Sequence, residues 1–513
     1  MVPIGVSSVG YATGYVITAV GAKVPLLLSK QPASHKLRCV KYGGPIAMKP
    51  TQSNDLEYIF HPNSIAFAGV SRTGQTLLEN HLTSGFKGNM YPISRSLTEV
   101  LGLQCYTDIK EIPDQIDYVW ATIPAQATPQ FIQDCVTKGV KVVSFFTAGF
   151  SEKDEEGEKL EAEIVQIARR GGMRILGPNC MGIYCPSTGL TFAHGLPQQS
   201  GSVGFICQSG GNSIYGVRAA VARGVYFSKV ISYGNACDIN ECDLLEYLAL
   251  DPETKIITAY IEGIKDRRRF FKLLREVTKA KPVIVLKGGH TAPGAATATA
   301  HTGALPFTTK NWNAHMKRAG AIQVYSVDEM VDVVLPFIYM SPPQGRNACI
   351  IGLGGGASVI AADHCVRAGL SVPPLPEKII QKIGEFILNP AGNIFVNPID
   401  PQFAPGGLTD ITRTIADWDG IDMLFLRLPH SLTPFYRDPG RKALDMMISL
   451  AKESSKPVAI ILDHVATPEV TQVFLERQQL CGDAGVASFP SAKRAANAMS
   501  KFIQYHQRRS EST

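Results

Sequence analysis

Two residues of the sequence, His301 and Glu262, could carry out nucleophilic chemistry together. His301 lies in the segment 300–305, which follows a run of small residues and which we expect to be a loop able to approach another loop. Glu262 directly follows a predicted strand, at the edge of a parallel sheet where α/β proteins form their sites. A carboxylate that binds one imidazole nitrogen fixes the tautomer and leaves the other nitrogen as a nucleophile. The alternative for an isolated histidine is a structural position.

A serine followed by two glycines could provide a phosphate site. Residues 208–213 read Gln-Ser-Gly-Gly-Asn-Ser and stand between a predicted strand and a predicted helix. The backbone at Ser209, Gly210 and Gly211 would then present N–H groups and the positive end of the helix dipole to an anion. The same pattern fits a plain serine N-cap equally well.

An earlier glycine-containing turn joins a predicted strand to a helix. It begins at Gly69 and ends at Gly74, with Ser71 and Arg72 between them. Such a turn lets the backbone approach a phosphate, although it also fits a simple tight turn. A complete Gly-x-Gly-x-x-Gly is absent, and Arg95 stands after the second strand where a ribose-binding acid would be expected. This favours a phosphate-bearing ligand and disfavours NAD.

Composition excludes several classes of function. The net charge is +6, but five basic residues and no acidic ones lie in residues 1–47, which leaves +6 − 5 = +1 for the remainder and gives no support for nucleic-acid binding. The 11 cysteines include no Cys-x-x-Cys pair, so we expect no metal site and a reducing cytoplasm. No apolar stretch reaches the ~18 residues of a membrane span.

Short β-type runs alternate with helical stretches along the chain. This alternation predicts βαβ units and parallel sheets. The pattern restarts near residues 200 and 343, and the length of 513 residues is that of about three domains. The predicted strands are 64–70, 89–93, 116–123, 141–146, 174–176, 202–207, 227–233, 256–261, 282–286, 348–353, 422–428 and 457–462.

The order of the motifs resembles one family, the ADP-forming acetyl-CoA synthetases, which are related to succinyl-CoA synthetase. The resemblance covers roughly residues 55–505 and includes NPID and GLGGGASVIAAD in the last third. The other motifs are IAFAGVSRTG, GFKGNMYPI, IPAQ, TAGFSE, GPNCMG, QSGG, SYGNACDINECDLLEYLALDPETK, YIEGI, KPVIVLKGG and AHTGAL.

The resemblance implies an α/β fold with a Rossmann-like CoA-binding domain at 53–198. Two flavodoxin-like, succinyl-CoA synthetase-like domains would follow at 199–342 and 343–513, and 1–52 would be an extension outside the fold. A protein that begins at Met48 should fold and bind CoA as well as the full chain.

The resemblance also assigns roles to individual residues. His301 would be the phosphorylated histidine, Glu262 the carboxylate that orients it, and 209–211 the helix start that receives the phosphate. The residues on the CoA side would be Gly69, Ser71, Arg72, Gly74, Arg95, Pro124 and Ala125. The family usually has about four more residues in the first turn, with a Pro-Gly-Lys element, and Asn-Pro-Lys where this chain has 94–96 as Ser-Arg-Ser.

The implied reaction is acyl-CoA + phosphate + NDP ⇌ carboxylic acid + CoA + NTP, through an acyl phosphate and a phosphohistidine. No stretch after residue 345 resembles an ATP-grasp domain, so we expect a separate ATP-grasp beta subunit that holds the Mg-nucleotide, and a hetero-oligomer. The acyl group and the choice of ADP or GDP stay open. The alternatives are a non-catalytic CoA-binding regulatory subunit and a nicotinamide-dependent oxidoreductase.

Overall fold

A computed structural model describes residues 56–302, 309–352, 354–387, 395–400, 407–428, 437–464 and 467–510. The predicted extension at 1–52 lies outside these residues. The described chain forms three parallel or mostly parallel sheets with helices on their faces. The strands in the sheets are buried almost throughout, as is typical of parallel sheets covered on both sides.

The first sheet is built from residues 64–176 and has the order β2-β1-β5-β6-β7, with all pairs parallel. Tyr106 forms an isolated parallel bridge with Ile93 beyond β2, at the place of a reduced further strand. With that bridge, the order matches the Rossmann arrangement 3-2-1-4-5-6. The elements are α1 Glu57–Phe60, β1 Ser64–Ala68, α2 Thr76–Ser84, β2 Asn89–Ile93, β3 Glu99–Val100, β4 Leu103–Gln104, β5 Tyr118–Ala121, α3 Thr128–Lys138, β6 Val142–Phe145, α4 Glu155–Arg170 and β7 Arg174–Leu176.

The second sheet has the order β13-β12-β11-β9-β10-β8, and only β8 is antiparallel to its neighbour. Without β8 the order is 2-1-3-4-5 in chain sequence, which is the flavodoxin arrangement. The elements are β8 Gly182–Tyr184, β9 Val203–Cys207, α5 Gly210–Val221, β10 Phe227–Ser232, α6 Glu241–Leu250, β11 Ile256–Ile261, α7 Arg267–Val277, β12 Val283–Lys287, α8 Ala292–Thr302, α9 Thr309–Ala319, β13 Ile322–Val324 and α10 Val327–Tyr339.

The third sheet has the order β14-β15-β16-β17, and all of its pairs are parallel. Parallel bridges from Ser371 and Ile399 continue it beyond β14, so this sheet also follows the flavodoxin pattern. The elements are β14 Ala348–Gly352, α11 Gly355–Arg367, α12 Glu377–Gly384, α13 Gly407–Ala416, β15 Met423–Leu428, α14 Arg437–Glu453, β16 Val458–Leu462, α15 Pro468–Asp483, β17 Ser488–Phe489 and α16 Ala492–Ser510.

Ion pairs to two buried aspartates connect the segments that carry the three sheets. Asp238 accepts hydrogen bonds from Arg169 and Arg174, which lie at the end of α4 and the start of β7. Asp332 on α10 accepts from Arg223 and from Arg494 on α16. Because each carboxylate is buried and would be uncompensated without its arginines, these contacts fix how the segments meet.

The predicted fold class is confirmed: a Rossmann-like part precedes flavodoxin-like parts. The structure adds the short strands β3, β4, β8, β13 and β17, each of two or three residues. Strand β8 lies in the range assigned to the first domain but pairs in the second sheet, and the division at 198/199 stays a prediction. None of the helices that the structure describes is long and apolar enough to cross a membrane.

Candidate functional site

The candidate site lies at the carboxyl ends of three neighbouring parallel strands. Ser209 comes just after β9, Glu262 directly follows β11, and Gly288 directly follows β12. Strand β9 has β10 on one side and β11 on the other, so the strand order reverses between β9 and β11. Such a reversal opens a crevice in which α/β proteins bind their ligands. The structure therefore brings two predicted site segments to the same crevice.

The Glu262 carboxylate and backbone are held by Tyr260 on the same strand and by Gln208, which directly follows β9. The Tyr260 hydroxyl donates a hydrogen bond to Glu262 Oε1 at 3.0 Å. The backbone N–H groups of Glu262 and Gly263 both donate to Gln208 Oε1, at 2.7 and 3.0 Å. These contacts hold the predicted orienting carboxylate in one place at the end of β11.

The helix start at residues 209–211 has the geometry of an anion site as well as of a cap. The Ser209 side chain accepts from the Asn212 N–H at 3.3 Å, so the serine is an N-cap. A Cβ on Gly210 would lie 2.7 Å from Met181 Cγ, whereas a Cβ on Gly211 would meet no atom within 4 Å. The first-turn N–H groups of a helix have no intrahelical acceptor, so this open side can receive a phosphate.

His301 lies in a helix, which corrects the first part, 300–302, of the loop expected at 300–305. The backbone of Ala292–Thr302 forms α8, and His301 is in its last turn. The physical reason is the alanine-rich composition, which favours helix, together with Pro293 in the first turn. Residues 303–308 and the His301 side chain are outside the described part of the chain.

A short glycine turn connects β12 to α8. The Lys287 Nζ donates to the carbonyl oxygens of Gly288 and Gly289, at 2.9 and 2.8 Å. Gly289 has φ +72°, and a Cβ there would lie 3.0 Å from Ala295 Cα in α8. Burial lowers the pKa of Lys287. The turn therefore fixes where α8 leaves the sheet, at the same edge as Glu262.

The residues predicted to bind CoA gather at a second strand reversal, in the first sheet. Gly69 follows β1, Arg95 comes after β2, and Pro124 and Ala125 come after β5. Because β2, β1 and β5 are neighbours, their carboxyl ends share one edge. Arg95 is exposed there, while Ala125 is buried.

The turn after β1 has tight backbone packing. Gly69 has φ +89°, and a Cβ on it would lie 2.8 Å from both the carbonyl oxygen and Oγ1 of Thr122. The Gly74 N–H donates to the Ser71 carbonyl at 3.0 Å and closes the turn, in which Arg72 is exposed. The positive φ of Gly69 and its close approach to Thr122 leave no room for a side chain, so this position requires glycine.

Three residues of the site were missed in the sequence: Tyr260, Gln208 and Gly288. Tyr260 lies two positions before Glu262, so the period of a strand places both on one face, and that signal was available. Gln208 and Gly288 reach Glu262 only because β9, β11 and β12 are neighbours in the sheet. No local pattern shows that neighbourhood.

Comparisons with known proteins agree with this architecture. Residues 63–186 match the CoA binding domain, and residues 200–337 match the succinyl-CoA ligase like flavodoxin domain. The chain is 38% identical to the alpha subunit of acetate–CoA ligase [ADP-forming] II from Pyrococcus furiosus, over 67% of this chain and 76% of that one. It is 32% identical to the alpha subunit of acetate–CoA ligase [ADP-forming] I from the same organism, over 88% and 97%.

A solved structure shows the same fold over nearly the whole described chain. The dinucleotide-forming acetyl-coenzyme A synthetase 1 of Ca. Korarchaeum cryptofilum, in complex with phosphate and ADP, superposes with a TM-score of 0.77. The sequences are 32% identical, and the match covers 89% of this chain and 98% of that one. The chain therefore belongs to the family of ADP-forming acetate–CoA ligase alpha subunits.

Proposed function

We propose that this chain is the CoA-binding, phosphohistidine-carrying subunit of an acyl-CoA synthetase that interconverts acyl-CoA, phosphate and a nucleoside diphosphate with carboxylate, CoA and the triphosphate. The observation that carries the proposal is the meeting of Glu262 and the start of α5 at one strand reversal. We infer the reaction at this site from the family to which the chain belongs. The nucleotide would be ADP, as in the relatives' names.

The first step cleaves the thioester. A phosphate oxygen attacks the acyl carbonyl carbon, a new C–O bond forms, and the C–S bond breaks. CoA leaves as the thiol with a proton from phosphate, and an acyl phosphate remains. The residues proposed to hold CoA are Gly69, Ser71, Arg72, Gly74 and Arg95, with Pro124 and Ala125, because they share one edge of the first sheet.

The second step moves the phosphoryl group to His301. A neutral imidazole nitrogen attacks phosphorus, the N–P bond forms, and the P–O bond to the acyl oxygen breaks to release the carboxylate. Glu262 would accept the N–H of the other imidazole nitrogen and stabilise the positive charge that develops. The N–H groups at Ser209, Gly210 and Gly211 would offset the negative charge of the phosphoryl group.

The third step, the transfer of the phosphoryl group from His301 to the nucleoside diphosphate, requires a partner. Relatives of this chain are named as alpha subunits, and we assign the Mg-nucleotide to a separate ATP-grasp beta subunit, which makes the enzyme a hetero-oligomer. We place it in the cytoplasm, because the ten cysteines that the structure describes are all unpaired.

Reconstitution tests this function. The full chain is combined with an ATP-grasp subunit, and ATP formation from acetyl-CoA, phosphate and ADP is measured. The complex should make ATP and the chain alone should not. His301→Asn should abolish turnover and leave the Kd for CoA within about twofold, because the CoA residues lie in another sheet. Turnover by the chain alone, or by the His301→Asn complex, would contradict the proposal.

A further inference from the structure

Tyr260 contacts the carboxylate that the proposed reaction needs. Its hydroxyl donates to Glu262 Oε1 at 3.0 Å, and the two residues share one face of β11. Burial, followed by the charge of Glu262, raises the pKa of Tyr260, whereas the side chain of Asn212 in α5 has a smaller lowering effect. The phenol therefore keeps its proton and remains a donor to the carboxylate at physiological pH.

Gln208 holds the backbone under the same carboxylate. Its side chain is only 5% exposed, and its Oε1 accepts from two successive N–H groups, those of Glu262 and Gly263. The backbone N–H of Gln208 donates to the Tyr260 carbonyl at 3.0 Å. Because Gln208 immediately precedes Ser209, the start of α5 and the end of β11 are joined by one side chain.

Gly288 leaves room for this pair. A Cβ at that position would lie 2.9 Å from the Tyr260 hydroxyl oxygen and 3.1 Å from Glu262 Cγ. The Gly288 N–H also donates to the Ile261 carbonyl at 2.8 Å, so the backbone cannot move aside cheaply. The phenol and the carboxylate thus lie against Gly288, while Gln208 holds the backbone of Glu262.

We propose that Tyr260 and Gln208 are positioning residues that hold the Glu262 carboxylate in register with the start of α5. The inference rests on the proposed function, in which Glu262 orients the phosphoryl-accepting histidine. Tyr260 sets the direction of one carboxylate oxygen. Gln208 fixes the position of the Glu262 backbone relative to the start of α5. Both residues contact Glu262, so both would act through it.

The consequence is a specific kinetic pattern. Tyr260→Phe keeps the ring and removes only the donor, so acyl-CoA and phosphate should bind as before. The transfer to histidine should slow about 10- to 100-fold, because Glu262 then lacks the donor that sets the direction of Oε1 and orients the imidazole less well. The loading rate should therefore fall while the apparent KM for each substrate stays within about twofold.

The test uses the full chain with its partner subunit, acetyl-CoA and radiolabelled inorganic phosphate as the probe. Alkali-stable label on the protein is followed over time for the wild type, Tyr260→Phe and Gln208→Met. Tyr184→Phe is the matched control, because it also removes a tyrosine hydroxyl from this sheet. The Tyr184 hydroxyl donates to the Pro197 carbonyl, and its strand β8 is far from Glu262 in the strand order. This variant should load at the wild-type rate. Thermal melting verifies that each variant is folded.

A double-mutant cycle separates positioning from a general structural effect. In a Glu262→Ala background there is no carboxylate to position, so adding Tyr260→Phe should change the slow residual loading by less than about twofold. This result, together with slow loading by Tyr260→Phe and by Gln208→Met, supports the proposal. Wild-type loading by Tyr260→Phe would overturn it, as would an equal further loss in the Glu262→Ala background. Failure of the proposed function looks different, because the wild type then takes no label and the positioning role falls with it.

Discussion

Gly288 shows how a single missing side chain shapes the site. The Tyr260 and Glu262 side chains lie so close to its Cα that a Cβ there would be 2.9 Å from the Tyr260 hydroxyl oxygen and 3.1 Å from Glu262 Cγ. A glycine with this function cannot be distinguished in the sequence from one that serves a turn. Its role follows only from the pairing of β11 with β12, which places Ile261 beside Lys287.

Gly288→Ala should therefore impair phosphoryl loading more than it impairs folding. The added methyl group displaces the phenol and the carboxylate by a few tenths of an ångström or more, and we expect at least a roughly 10-fold slower loading rate. Gly384→Ala in α12 is the control, because a Cβ there meets no atom within 4 Å. Equal loading rates for the two variants would show that the contact at Gly288 has no effect on the site.

Individual site residues differed in how well the sequence predicted them. Glu262 was found because it follows a strand and lies in a family motif, and the structure puts it at the expected edge. His301 was found through a different family motif, AHTGAL, but its backbone is helical where a loop was expected. The small residues of 292–299 were not predicted to form a helix, although their alanines favour one.

The helix start at α5 combines a structural and a proposed binding role. Ser209 caps the helix, so its removal must cost stability whatever it binds. Ser326 caps α10 in the same way, through the Glu329 N–H at 3.1 Å. The two serines therefore form a matched pair that differs only in the proposed contact with phosphate.

Ser209→Ala and Ser326→Ala should each lower the free energy of unfolding by about 1 kcal/mol. Only Ser209→Ala should also raise the apparent KM for phosphate in the loading reaction, since it removes a hydroxyl donor. Urea denaturation gives the first quantity and loading kinetics give the second. If both variants leave the KM for phosphate unchanged, Ser209 is a cap and no more.

Strand order decides where the sites form, and it was only partly predictable. The alternation of strands and helices predicted parallel sheets, and each of the twelve expected strands is present within a few residues of its expected bounds. The pairing of β8 with β10 was not predicted, because it depends on which segments meet in the fold and not on a local pattern. Both strand reversals depend on which strands become neighbours, a property of packing over long sequence separations.

Buried ionisable groups make the stability of the whole molecule depend on pH. His81 is fully buried, and its Nδ1 donates to the Leu77 carbonyl when that nitrogen carries the proton. Its Nε2 accepts from the Thr191 backbone N–H at 3.3 Å. Burial lowers the pKa of His81 to about 4. Between about pH 4 and pH 6.5, the unfolded chain therefore binds a proton at His81 that the folded chain does not bind.

The contribution of His81 to the free energy of unfolding is complete above about pH 6.5. It should fall as the pH drops, with a loss of about 3 kcal/mol by pH 4. Glu241 acts in the opposite direction, because burial raises its pKa to about 6 and its stabilising effect is lost as the pH rises through that value. The difference between the wild type and His81→Gln, measured by urea denaturation from pH 7 to pH 4, isolates the histidine. A difference that is constant with pH would contradict this account.

The central claim is that His301 carries the phosphoryl group, and the position of the label tests it most directly. The full chain and its partner subunit are incubated with acetyl-CoA and radiolabelled phosphate, without nucleotide. A phosphoramidate is labile in acid and stable in alkali, so the account predicts one such label per chain. Peptide mapping should place it at His301, and His301→Asn should take up none. No label on the wild type, an acid-stable label, or a label on another residue would contradict the account.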